Sequence, residues 1–173
     1  KKKKKETETI MSQIKDPHVI GFSCFVWNWN NNVELAKKIK QKYPNCVIVF
    51  GGWQAPMSDR SKGFFHKYPF VDILAHGEGE IIFSNILIES LKERPDSSSV
   101  NGCSIPRKLL LDKTKKSNVV QFGLKSKELE EVTIAKDLDT FVTAPQQRIE
   151  NLASMPSPYL DGLFDELVKG CVA

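Results

Sequence analysis

The sequence predicts an α/β fold with a parallel sheet, because three apolar runs alternate with helical segments along residues 6–95. The clearest run is Cys46–Phe50, which is unbroken and mostly β-branched or aromatic, as in strands buried on both faces. Gly51 and Gly52 follow at once, and paired glycines allow a sharp turn and close approach of a ligand to the backbone. Ligands of parallel sheets bind outside the carboxyl ends of the strands. The turn therefore indicates where a ligand would lie.

The elements before that strand follow from local patterns. Apolar residues spaced along one face predict a short helix over Glu6–Ile14, which ends at Asp16-Pro17. A second apolar strand covers Val19–Phe22. Three consecutive asparagines, Asn30–Asn32, favour a turn, and the periodicity after them predicts a helix over Asn32–Tyr43.

The elements after the central strand complete the alternation. A helix is predicted over Ser58–Lys67 and a third strand over Val71–Ala75. A stronger helix follows and ends near Pro95. Its residues predicted to face the sheet are Ile82, Phe83, Ile86, Leu87 and Leu91.

The pattern changes at Pro95, where the alternation stops. Lys108–Leu111 and Val119–Phe122 flank a polar turn and predict a hairpin, whereas residues 125–144 give no assignable pattern. Pro156-Ser157-Pro158 predicts a stiff connector before a short amphipathic helix over Tyr159–Val168. The predicted organisation is a lysine tail at 1–5, an α/β domain at 6–95, a hairpin-bearing linker at 96–155 and a connector helix at 156–173.

Composition narrows the class of partner. The net charge of +4 comes from Lys1–Lys5, since removing these five lysines leaves 20 basic residues against 21 acidic ones. A nucleic-acid interface needs a basic face on the folded part, so no nucleic-acid partner is predicted. No apolar run approaches the ~20 residues that span a bilayer, and no signal peptide is visible. The four cysteines form no C-x-x-C pair, which is typical of a reduced cytoplasmic protein with unpaired thiols.

Three loops leave the predicted sheet at the same edge, Ser23–Asn32, Gly51–Pro56 and His76–Glu80. They offer a hydroxyl, backbone amides next to glycines, flat tryptophan walls and the start of a helix. The candidate binding residues are Ser23, Cys24, Phe25, Trp27, Gly51, Gly52, Trp53, Gln54, Gly77, Glu78 and Gly79.

Structural roles compete with each of these assignments. Capping of the core is the alternative role of Trp27 and Trp29, and His76 is more typical of a turn than of a ligand. Glu78 and Glu80 stand in a first helical turn, where the helix dipole alone favours acids. Gly-Glu-Gly-Glu is not a dinucleotide fingerprint. No catalytic residue and no metal ligand is predicted.

The order of the three loop sequences is the most specific signal. Residues 20–30 (IGFSCFVWNWN), 50–56 (FGGWQAP) and 71–80 (VDILAHGEGE) resemble the cobalamin-binding domain of cobalamin-dependent radical SAM proteins. Residues 156–162 (PSPYLDG) resemble the linker that leads to their radical SAM barrel. The resemblance covers about residues 8–168. It implies a flavodoxin-like (Rossmann-type) domain in which Ser23 and Phe25, and then Gly51 and Gly52, hold the nucleotide tail of cobalamin.

The resemblance also implies what lies outside this sequence. The family's first strand and helix would precede Glu6, so the sheet is expected to lack its first strand. A barrel carrying C-x-x-x-C-x-x-C would follow Gly170, and a four-iron four-sulfur cluster and S-adenosylmethionine would bind there. The expected function is to hold cobalamin for methyl transfer or related radical chemistry, with that barrel as the partner. The alternatives are a degenerate interaction domain without cofactor, and a flavin- or nucleotide-binding module.

Two further expectations concern single residues. A side chain at Gly52 is expected to clash with ligand and leave the fold intact. Residues 16–21 (DPHVIG) match the D-x-H-x-x-G string whose histidine ligates cobalt in many cobalamin proteins. That motif belongs after a strand, whereas His18 comes before one, so His18 is expected to be a loop histidine remote from the ligand.

Overall fold

The computed structural model describes residues 2–61, 63–107, 140–151, 153, 155–156 and 162. The elements alternate as the sequence predicts up to residue 90, and two short strands follow. In chain order they are α1 (Lys2–Gln13), β1 (Val19–Ser23), α2 (Trp29–Lys42), β2 (Val47–Gly51), α3 (Phe64–Lys67), β3 (Ile73–Ala75), α4 (Gly79–Ser90), β4 (Cys103–Pro106) and β5 (Thr140–Val142). Short 3₁₀ turns occupy Ser58–Arg60 and Ser97–Ser99.

The predicted α/β class is confirmed. The five strands lie in the order β1-β2-β3-β4-β5, and β1, β2 and β3 run parallel. Ser23 pairs with Gly51 at the last position of the β1–β2 register. The carboxyl ends of the three parallel strands therefore meet at one edge of the sheet, which we call the ligand edge.

β4 and β5 were not predicted. Both run antiparallel to their neighbours, with Ala75 opposite Cys103 and Ile105 opposite Phe141. Each has only three or four residues, too few for an alternating pattern to stand out in the sequence. They come from the region assigned to the linker, so part of that region extends the sheet of residues 6–95. The domain boundaries themselves stay a prediction.

Helices cover both faces of the sheet because its strand residues alternate between two apolar clusters. On one face, Phe22, Ile48, Phe50 and Leu74 pack with residues of α2 and α3 and with Met11 of α1. On the other face, Val49, Ile73 and Ala75 pack with Ile82 and Ile86 of α4. Of α4, Gly79 and Phe83 lie at the ligand edge.

An ion pair fixes the opposite, amino edge of the parallel strands. The Lys40 ammonium lies 2.8 Å from an oxygen of Asp72 and donates to the carbonyl of Cys46, also at 2.8 Å. The backbone N–H of Ile48 donates to the same carboxylate at 2.7 Å. Burial raises the pKa of Asp72 from its ordinary value, although the Ile48 N–H and Lys40 oppose the shift. The pair joins α2 to β2 and to the residue before β3.

Several predicted boundaries were wrong. α1 begins at Lys2 rather than Glu6, and α2 begins at Trp29, so the three asparagines are helical. The helix predicted over Ser58–Lys67 divides into a 3₁₀ turn and a shorter helix, which Gly63 separates with φ +71°. Tertiary contacts outweigh the local turn preference of asparagine here.

The predicted inward face of α4 was correct only in part. Ile82 and Ile86 are buried, whereas Leu87 and Leu91 are 38% and 80% exposed. Ile88 is also 59% exposed, so apolar residues continue around the helix instead of forming one stripe. The predicted hairpin at residues 108–122 and the helix over Tyr159–Val168 lie outside the described residues.

No helix in the described residues is both long and apolar enough to cross a bilayer. Cys24, Cys46 and Cys103 are buried free thiols, as predicted for unpaired cysteines. β1 and β5 are the two terminal strands of the sheet among the described residues.

Candidate functional site

The loop after β1 and the loop after β2 are joined through the backbone of Cys24. Its N–H donates to the carbonyl of Gly51 at 2.7 Å, and its carbonyl accepts from the N–H of Gln54 at 2.9 Å. The Cys24 side chain is fully buried in the core below. Cys24 thus positions the two loops, and its thiol does not reach the ligand edge.

Two asparagine side chains fix the position of Ser23. The amides of Asn28 and Asn32 donate to the Ser23 carbonyl at 2.9 and 3.1 Å. The Asn28 side-chain oxygen accepts from the N–H of Phe25 at 2.8 Å, which closes the loop on itself. Ser23 itself is exposed at the end of its strand. Asn32, from the run that predicted a turn, therefore holds this loop together with Asn28, which immediately precedes α2.

The expectation that the fold tolerates a side chain at Gly52 was wrong. Gly52 has φ +89°, and a Cβ there would lie 2.9 Å from the carbonyl oxygen of Cys24 and 3.0 Å from its nitrogen. The protein's own backbone therefore needs this glycine, whatever binds at the edge. Gly51 differs, since a Cβ there would contact Ala75 at an ordinary 3.6 Å.

A crevice of about 200 Å³ opens where the carboxyl ends of β1, β2 and β3 face α4. We call it the helix crevice. Among its lining residues are Ser23, Gly51, Gly52, Ala75, Gly79 and Phe83. Gly79 is the first residue of α4, and a Cβ there would meet no atom within 4 Å. Glycines thus keep open the space in front of the N–H groups at the start of α4.

A larger cleft of about 450 Å³ adjoins the helix crevice and shares Gly52 and Ala75 with it. We call it the strap cleft, because part of one segment, the strap (residues 143–149), contributes to its lining. One wall comes from the loops after β2 and β3: Trp53, Met57, His76, Gly77 and Glu78. The cleft is also lined by Gln146, Gln147 and Arg148, about 70 residues away in the chain from Glu78. No sequence pattern marked these three residues, because their place depends on β4 and β5.

His76 is a wall of the strap cleft and is also tied into the protein. Its Nε2 lies 2.7 Å from the Ser104 hydroxyl, which is fully buried. Ser104 donates to the Ser61 hydroxyl, which in turn donates to the carbonyl of Ser58. This series of hydrogen bonds connects His76 to the 3₁₀ turn at Ser58–Arg60. The interpretation of His76 as a turn residue missed both its place in the cleft lining and its contact with Ser104.

The three tryptophans have different environments. Trp29 is half-buried and contacts Phe50 and Tyr68 edge-on, so it caps the core. Trp27 is 78% exposed and stacks on Phe25, with ring centroids 4.7 Å apart. Trp53 is 91% exposed. Trp27 and Trp53 are therefore the indoles that the ligand edge presents.

The environments of the buried cysteines disfavour the reactive thiolate form. Burial raises the pKa of Cys24 despite its contact with the Asn32 amide, and burial raises the pKa of Cys103 to about 12. Metal-binding and nucleophilic cysteines act as thiolates, a form that these environments disfavour. Within the described ranges, no cluster of three or more metal-ligating side chains occurs.

Seven of the eleven candidate residues line the two clefts: Ser23, Gly51, Gly52, Trp53, Gly77, Glu78 and Gly79. Four do not line them. Cys24 is buried, Phe25 and Trp27 stand on the loop beside them, and Gln54 faces a shallow hollow with Trp29.

Comparison with known proteins identifies similar chains. No family model matches this sequence. It is 35% identical over 158 residues to the cobalamin-dependent radical SAM methyltransferase TokK of Streptomyces tokunonensis. The aligned segment covers 91% of this chain and 19% of that protein. It is 32% identical over 164 residues to the 2-(S-pantetheinyl)-carbapenam-3-carboxylate methyltransferase of Streptantibioticus cattleyicolor, covering 95% and 20% respectively. The chain spans about a fifth of the length of these curated relatives.

Proposed function

Since this chain is homologous to a segment of cobalamin-dependent radical SAM methyltransferases, we propose that it holds cobalamin as the cofactor-binding module of such an enzyme. The observation that carries the proposal is the joined edge of the parallel sheet. There the Ser23 loop and the Gly51–Gly52 turn are bonded together through Cys24.

The shape of the ligand edge fits a large cofactor with a tail. The helix crevice is open at Gly79, where a Cβ would meet no atom within 4 Å, and Gly51 lines it where a Cβ would only make ordinary contact with Ala75. Cobalamin has a broad macrocycle and a nucleotide tail, and the crevice and adjoining cleft offer one narrow and one wider compartment. A small rigid ligand would need only one of them.

Each group at the edge has a role in this proposal. Ser23 offers its hydroxyl to the tail, and Gly51, Gly52 and Gly79 let the tail approach the main chain. Trp27 and Trp53 provide flat apolar surfaces beside the macrocycle. Bound cobalamin supplies a cobalt centre for methyl transfer. The chain's own residues bind and orient the cofactor, and we assign no catalytic residue among them.

The remainder of the reaction belongs to the intact protein in this proposal. A radical SAM domain of the same parent chain is the partner, and it holds the four-iron four-sulfur cluster and S-adenosylmethionine. The substrate that receives the methyl group is left open, because it would contact that domain as well.

A second candidate is an interaction module that binds no cofactor. The apolar residues Leu87, Ile88 and Leu91 on the exposed side of α4 favour it, because such a helix face is normally covered. This candidate explains the α4 surface but not the glycine-lined crevice on the ligand edge.

The test is retention of cofactor. The protein is mixed with hydroxocobalamin and, separately, with FMN, then desalted, and visible spectra are recorded. Retention of about one cobalamin per chain, with no retained flavin, is expected. Retained flavin without cobalamin would assign a flavin module, and retention of neither would favour the interaction module.

A further inference from the structure

Residues 143–149, which we call the strap, run from the end of β5 across the ligand edge. The first part of the strap is fastened to β4. Thr143 and Cys103 exchange two bonds, since the Thr143 N–H donates to the Cys103 carbonyl at 2.9 Å and the Cys103 N–H donates to the Thr143 hydroxyl at 2.8 Å. The Gly102 N–H then donates to the carbonyl of Ala144 at 2.7 Å. These bonds set the strap's starting point beside the first residue of β4.

The far end of the strap is fastened by Glu78. One carboxylate oxygen of Glu78 accepts from the N–H of Ile149 at 3.0 Å. Glu78 is the N-cap residue of α4, yet its side chain makes no capping bond to that helix. Its carboxylate binds the strap instead, so its position at the ligand edge serves a contact that spans 71 residues of sequence.

The part of the strap between these fastenings forms one wall of the strap cleft. Gln146 is half-buried there, with Gln147 and Arg148 beside it. These residues carry amide and guanidinium groups, and the Gln146 amide donates to the Gln147 carbonyl at 3.4 Å. The same cleft is lined by Trp53, Met57 and Gly77. Thus the cleft combines the apolar side chains of Trp53 and Met57 with a strap that is rich in hydrogen-bonding groups.

We propose that the strap is the second wall of the cofactor site, where it binds the amide-bearing rim of the macrocycle, and that Glu78 is the residue that positions it. This inference rests on the proposed function. Primary amides such as those on a corrin rim both donate and accept, and the Gln146 amide is complementary to them. Glu78 then acts through the strap rather than by touching cofactor.

The chain provides a direct readout of strap position. Trypsin cleaves after arginine, and the peptide bond after Arg148 contains the same Ile149 N–H that Glu78 binds. Cleavage at this bond, followed by mass spectrometry, therefore reports release of the strap without any ligand. The variants are Glu78→Ala, the conservative Glu78→Gln and Gln146→Ala. The control is Glu80→Ala, since Glu80 is an exposed acid in the first turn of the same helix.

Both strap release and cofactor affinity are measured. Glu78→Ala is expected to speed cleavage after Arg148 and to raise the Kd for hydroxocobalamin, each about tenfold, because a bond to a charged group is lost. Glu78→Gln keeps an acceptor and should lie nearer the parent in both. Gln146→Ala should weaken binding without faster cleavage. Glu80→Ala should match the parent.

The outcomes separate this inference from the proposed function. Faster cleavage with unchanged Kd in Glu78→Ala would show a fastened strap that is no wall of the site, and it would overturn the proposal. Unchanged cleavage would overturn the role of Glu78. A parent protein that retains no hydroxocobalamin would overturn the proposed function first, and the strap inference with it.

Discussion

Gly52 lies against the backbone of Cys24 so closely that a Cβ at Gly52 would stand 2.9 Å from the Cys24 carbonyl oxygen. The same carbonyl accepts the Gln54 N–H, and the Cys24 N–H donates to Gly51. The two loops at the ligand edge are therefore one packed unit. Their geometry is set by the protein before any cofactor binds.

We expect alanine substitutions at Gly51 and Gly52 to have different effects, one on cofactor binding and the other on stability. Gly51→Ala adds a methyl at ordinary contact distance and narrows the helix crevice, so we expect an unchanged melting temperature and about tenfold weaker cobalamin binding. Gly52→Ala forces a side chain into positive φ and against Cys24, and it should lose about 1–3 kcal/mol of stability. Thermal unfolding and spectroscopic titration check both. Undiminished binding by Gly51→Ala would mean that cofactor does not use the crevice.

The Lys40–Asp72 pair predicts a pH dependence of stability. The pKa of Asp72 is raised above its ordinary 3.8 in the folded chain, chiefly by burial. Between 3.8 and that raised pKa the folded state binds more protons than the unfolded state, so this group's contribution to stability falls as pH rises. Above the pKa of Asp72 in the folded chain, Asp72 is ionised in both states, and its contribution to stability no longer changes with pH.

Urea unfolding of the parent and of Asp72→Asn, measured across pH 3 to 7, isolates this contribution as a difference. Asp72→Asn keeps an acceptor for the Ile48 N–H but cannot ionise. We expect the stability of the parent relative to the variant to fall with rising pH; a rise would contradict the assignment. Glu34→Gln serves as control, since its exposed pair with Lys38 should be worth less than about 1 kcal/mol.

The terminal position of β1 predicts self-association. Val19–Ser23 carries no charged residue, and such strand edges recruit other chains. Light scattering should give a mass that grows with concentration. The exposed residues Ile88 and Leu91 of α4 could cause the same effect, so the Ile88→Lys, Leu91→Lys double variant is the control. Association that persists in this variant supports the strand edge, whereas a monomeric parent at high concentration would count against it.

We expect that His18 does not ligate the cobalt of bound cobalamin. It is exposed at the amino end of β1, where its carbonyl accepts the N–H of Val47. The five residues of β1 place it roughly 16 Å from the ligand edge at about 3.3 Å per residue. His18→Ala should leave the cobalamin Kd within about twofold. Nitrogen splitting in the EPR spectrum of the cob(II)alamin complex, lost in His18→Ala, is the result that would refute this.

The sequence by itself determined the parallel part of the fold and the edge where a ligand would bind. Cys46–Phe50 is apolar enough to specify a buried strand alone, and parallel strands bring Ser23, Gly51 and Gly77 to the same edge whatever the details of packing. The family resemblance rested on those same loops. For these three parallel strands the prediction agrees with the structure, because a few consecutive apolar residues are enough to specify each buried strand.

Only the tertiary structure decided what surrounds that edge. β4 and β5 are too short to be predicted from periodicity, and the segment after β5 brings Gln146 into the lining of the cleft that Trp53 also lines. The reason Gly52 must be glycine is likewise a contact between two loops, not a property of the turn. Such features depend on atoms brought together from distant parts of the chain, and a window of sequence contains only one side of each contact.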